Sequence, residues 1–76
     1  MEWEKIVAEN LRRFRRERGK TQEQLALDAG VALRYVGMVE RGETSASVGM
    51  LGKLADALDV RPGDFFLLEK DLRSRP

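Results

Sequence analysis

Cysteine and histidine are both absent from these 76 residues. Their absence removes disulfide staples, thiolate and imidazole metal ligands, and the commonest nucleophile and general base. The acids that remain are dispersed along helical segments, with no carboxylate pair and no glycine-rich phosphate loop. Enzymatic function is therefore not expected, nor is a cofactor or metal. No apolar run approaches the ~18 to 20 residues of a membrane span. The opening MEWEKIVAEN carries acids where a signal peptide would carry a basic and then an apolar region. A soluble cytoplasmic protein with no membrane partner is expected. A strong positive charge is also missing, since the formal net charge is only +1. Its distribution is uneven, however. Arg12, Arg13, Arg15, Arg16, Arg18 and Lys20 face only Glu17 in one short stretch, so a near-neutral average hides one basic end.

Helical periodicity runs nearly throughout, and nothing alternates with period two over a useful length, which predicts an all-α fold. Trp3, Val7, Leu11 and Phe14, with Ile6 beside them, mark the apolar stripe of a first helix over residues 3 to about 18, stopped by Gly19. Thr21 and Gln24 form a capping-box pattern for a second helix that starts at Gln22, turns Leu25, Ala26 and Ala29 inward and ends at Gly30. A third helix from about Leu33 to Arg41 directs Val36 and Val39 inward and is closed by Gly42. Ser47 is placed to cap a fourth, with Val48, Leu51, Leu54, Ala55 and Leu58 on its buried face and its end near Asp59. Pro62 suits the first turn of a fifth, running to about Leu68. The chain reads as one domain over residues 1–76, with a core of 11–68 and a frayed polar tail at 69–76.

The second and third segments belong together. Ala26 is small enough for close helix crossing, Gly30 suits the left-handed conformation of a tight turn, and Val36 and Val39 seal the third helix onto the second. These matches to separate steric demands describe a helix-turn-helix, the alternative being a plain αα-corner in a small bundle. LRRFRRERGKTQEQLALDAG, YVGMVERGE and LADALDVRPGDFF together resemble the Cro/cI-type (XRE) helix-turn-helix family. Within it the chain is most similar to small stand-alone regulators such as phage repressors and restriction-modification controller proteins. The resemblance implies a five-helix, lambda-repressor-like domain in a bacterial or phage transcriptional regulator. It also implies a homodimer binding double-stranded DNA at an inverted-repeat operator. An interaction module on the same fold, an antitoxin or antiactivator with a protein partner, is the alternative.

The resemblance also distributes roles along the chain. Ala32, Leu33, Arg34, Gly37 and Met38 occupy the side of the third helix that faces base edges in the family. Arg34 is the leading reader, because a guanidinium binds guanine O6 and N7 together, whereas Leu33 and Met38 offer only apolar contact. Gln22, with Thr21 beside it, matches the phosphate-holding start of the second helix. Tyr35, Arg41, Thr44, Ser45 and Ser47 are the further phosphate candidates. Glu40 and Arg15 match a buried structural ion pair. Departures from the family are Ala32 in place of a capping residue, Gly37 within the recognition helix, apolar Leu33, and Ala46-Ser47 where Asn-Pro is common. Phe65, Phe66, Leu67 and Leu68 form an apolar run that one core cannot bury whole. With Val60 and Met50 they are the expected dimer interface.

Overall fold

The computed structural model describes residues 1–73 as α1 (Trp3–Glu17), α2 (Gln22–Ala29), α3 (Leu33–Glu40), α4 (Val48–Leu58), a 3-10 turn at Pro62–Phe66 and α5 (Glu69–Arg73). No strand occurs among the described residues. Several of the boundaries have a local cause. Thr21 caps α2 reciprocally: its hydroxyl accepts from Gln24 N–H, and Gln24 Oε1 accepts from Thr21 N–H. Gly30 closes the same helix at φ 70, where a side chain would be strained. Ser47 Oγ accepts from Met50 N–H and starts α4. Ala32 stands at the start of α3 without any side-chain cap.

The end of the fold departs from the expected single helix. Pro62 begins a 3-10 turn that stops at Phe66, because Leu67 is extended at φ −65, ψ 134. Asn10, buried on α1, supplies the reason. Its Nδ2 donates to the Phe65 carbonyl at 2.6 Å and to the Leu67 carbonyl at 2.9 Å. An ongoing helix would need the Phe65 carbonyl for its own fourth-following N–H, so the helix restarts only at Glu69. Residues 69–73, expected to be frayed, thus form a turn of helix; the rest of that expected tail, residues 74–76, lies outside the described residues.

One cluster unites the elements. Val7, Leu11 and Phe14 of α1 meet Leu25 and Ala26 of α2, Val36 and Val39 of α3, and Leu51, Leu54, Ala55 and Leu58 of α4. Phe65 completes it from the 3-10 turn, fully buried and edge-on to Phe14 with ring centroids 5.9 Å apart. This corrects the expectation that Phe65 belongs to a dimer surface. Four consecutive apolar residues do divide between core and surface, but Phe65 takes the core and Phe66 stays 41% exposed, against Trp3.

Candidate nucleic-acid interface

α2 and α3 are short helices held across a tight turn, and the outward side of α3 carries Leu33 and Arg34 into solvent, with Met38 half-buried. Arg34 has neither hydrogen bond nor ion pair among the described residues, so its guanidinium is available. Gly37 was expected on that same outward side. It is buried instead, because Arg41 folds back over it: a Cβ built there would sit 2.9 Å from Arg41 Nη1 and 3.8 Å from Gln22 Oε1. Gly37 therefore provides clearance for a neighbouring side chain and presents none of its own.

Behind this surface lies a polar anchor. Glu40, 2% exposed, accepts from Arg15 Nε at 2.6 Å, from Arg15 Nη2 at 3.0 Å and from Gln22 Nε2 at 3.1 Å. Hydrogen bonding to Glu40 holds the Arg15 guanidinium above its ordinary value, against the opposing effect of burial. Arg12 donates to the Glu40 backbone carbonyl, which satisfies one of the free acceptors at the end of α3. The Gln22 amide N–H is thus directed inward to Glu40. Its position at the start of α2 still borders the exposed face, beside the guanidinium of Arg41.

The loop after α3 is also more internally occupied than its hydroxyls suggest. Ser45 Oγ donates to Glu4 Oε2 at 2.6 Å, tying the loop to the start of α1. That bond holds the Glu4 carboxyl below its usual range. Ser47 serves as the cap of α4, and Thr21 as the cap of α2. Tyr35 is half-buried; burial pushes its phenol above the ordinary value, opposed by a hydrogen bond from the Ser47 backbone. Arg41 Nε lies 3.0 Å from Glu43 Oε2, an exposed ion pair.

The basic end of α1 is similarly committed. Lys20 Nζ reaches Asp28 at 2.8 Å and the Ala57 carbonyl at 2.7 Å, while Arg18 approaches Asp59 and Arg13 approaches Glu17. Only Arg16 of that run stays without a partner among the described residues. The residues that sequence reasoning missed are Asn10, Glu4 and Glu43. Asn10 had a readable signal, a polar residue between Val7 and Phe14 on an otherwise apolar stripe. Glu4 and Glu43 had none, since their partners are set by loop geometry.

Two short helices packed on each other across the turn at Gly30 have the arrangement of a helix-turn-helix, and comparison with known proteins agrees. A family model described as "Helix-turn-helix" matches residues 11–65. The chain belongs to this helix-turn-helix family. It is 40% identical over 60 residues to an uncharacterized HTH-type transcriptional regulator, y4dJ, of Sinorhizobium fredii, covering 79% of this chain and 78% of that one. It is 41% identical over 60 residues to the control protein C.SmaI of Serratia marcescens, covering 79% and 71%. The crystal structure of the restriction-modification controller protein C.AhdI from Aeromonas hydrophila superposes with a TM-score of 0.80 at 40% identity, over 83% of this chain and 96% of that one. The protein is a transcriptional regulator with a DNA-binding helix-turn-helix fold; its family is not enzymatic. No helix among the described residues is long and apolar enough to cross a membrane.

Proposed function

We propose that this helix-turn-helix regulator acts as a homodimer on an inverted-repeat operator, with Arg34 as the principal base-reading side chain. The observation that carries the reading is the unpaired Arg34 on the solvent side of α3. Ala32, Leu33 and Met38 supply apolar contact around it, of the kind a thymine methyl accepts. Thr21, Gln22, Tyr35, Arg41 and Thr44 make up the phosphate-facing set of this reading. Residues 21–42 hold only Arg34 and Arg41 as cations against Glu23, Asp28 and Glu40. One domain therefore has little electrostatic attraction for DNA, and a dimer doubles it. Two recognition helices about 34 Å apart match one helical turn of DNA. Phe66, with the half-buried Leu67, Leu68, Val60 and Met50, provides the apolar surface for pairing.

Fluorescence anisotropy with a palindromic duplex selected from a random pool tests this reading. Affinity is expected to fall at least ~10-fold between about 50 and about 200 mM salt, as counterions are released by phosphate contacts. Salt-independent binding, or none to any duplex, overturns it. Arg34→Ala is expected to lose most on the selected duplex and little on a scrambled one; equal loss on both removes Arg34 from base reading.

A further inference from the structure

We propose that Gly37, Arg41 and Glu43 form an affinity-setting latch, in which Arg41 reaches a DNA phosphate over the bare backbone of Gly37 and Glu43 competes with that phosphate for the same guanidinium. The inference rests on the DNA-binding reading above and assigns work to Glu43 and Gly37 that base reading does not.

Three observations converge on it. Arg41 lies just past the end of α3 and does not extend away; its guanidinium returns along the helix to Gly37, four residues earlier. The bare backbone leaves room for this seat, since a Cβ at position 37 would stand 2.9 Å from Nη1 and push the guanidinium outward. Glu43 takes the Nε edge of the same group at 3.0 Å, with both side chains more than half exposed. The exposed pair holds Glu43 below and Arg41 above their ordinary values, so both are charged near neutral pH. The guanidinium therefore points its Nη1 at the backbone of the recognition helix, near Gln22, with an acid at its Nε.

Such a group is poised for exchange. Surface ion pairs are weak, because solvent screens them and two long side chains must be held in one geometry. A phosphate offers the guanidinium two oxygens in a geometry that suits its planar fork. DNA thus displaces Glu43 from Arg41, and affinity is set by the difference between the two partners.

The test measures anisotropy on a selected palindromic duplex and on a scrambled duplex of equal length, across a salt series, with the full chain. Glu43→Gln is expected to tighten binding about two- to five-fold per half-site, the range of a lost surface pair. In an Arg41→Ala background the same change is expected to do nothing. Arg41→Ala itself is expected to reduce the salt slope by about 0.9 per half-site, equally on both duplexes. Gly37→Ala is expected to weaken binding in the same direction as Arg41→Ala but by less, because the displaced guanidinium keeps its charge, while melting no lower than wild type, because the far end of a flexible side chain moves aside and alanine favours helix. A Glu43→Gln gain that persists without Arg41 makes Glu43 a general repulsive charge and overturns the latch. Greater loss on the selected duplex makes Arg41 a base reader and overturns the phosphate assignment. If the wild type binds neither duplex in a salt-dependent way, the DNA-binding reading falls together with the latch; if it does bind, these variants judge the latch alone.

Discussion

Glu40 ties three segments with one residue: its carboxylate takes Arg15 of α1 and Gln22 of α2, and its carbonyl takes Arg12. Removing it strands a mostly buried arginine. Glu40→Ala is expected to cost about 3 to 5 kcal/mol, measured by urea denaturation, a large part of the total stability of a small domain. Asn10→Ala should leave the carbonyls of Phe65 and Leu67 without their donor, at a cost of about 1 to 3 kcal/mol. Glu4 gives a pH prediction. Its carboxyl is depressed by the hydrogen bond from Ser45, so the contribution of that bond is present above the unfolded pKa and lost as pH falls through the folded one. Carboxyl NMR titration is expected to place Glu4 below an ordinary glutamate in the wild type and closer to the ordinary value in Ser45→Ala, where the bond from its own backbone remains. Residues at this scale were unevenly legible. Arg15 and Glu40 could be matched through a family pattern, whereas Ser45 read as a phosphate candidate because its partner Glu4 lies 41 positions away.

Helices were the most legible scale, because their signals are local. The Thr21–Gln24 box, Gly30 and Ser47 all mark boundaries where the sequence placed them. Where a distant group intervened, the reading failed. The 3-10 turn ends early because Asn10 takes carbonyls from another part of the chain, and Gly37 is covered because Arg41 turns back on it. α3 is the least supported helix at its start, since Ala32 offers no oxygen to its free N–H groups. Ala32→Ser is expected to add about 1 kcal/mol, seen as a higher urea midpoint with an unchanged denaturant slope. Because the change lies at the recognition surface, its effect on DNA affinity reports separately from its effect on folding.

For the whole molecule, the neighbouring phenylalanines make opposite predictions. Phe65→Ala opens the core and is expected to cost about 3 to 5 kcal/mol. Phe66→Ala is expected to leave the fold intact and weaken self-association, measured by sedimentation. The only tryptophan, Trp3, packs edge-on to Phe66 with ring centroids 5.9 Å apart. Its emission is therefore expected to shift with protein concentration as subunits pair, and to lose that dependence in Phe66→Ala. Composition and pattern disclosed the all-α architecture and the helix-turn-helix. They could not divide the run at 65–68 between interior and surface, because that division depends on which residue α1 receives.

Asn10 also bears on the order in which the chain becomes a protein. Its bonds to Phe65 and Leu67 close a span of 55 and 57 residues, and Phe65 seats directly on α1. During translation, at roughly 5 to 20 residues per second, α1 is made seconds before the segment that seats Phe65 on Phe14. Its apolar stripe can meet the earlier helices as they emerge but lacks Phe65 through that interval, so the core closes only after this last partner has emerged.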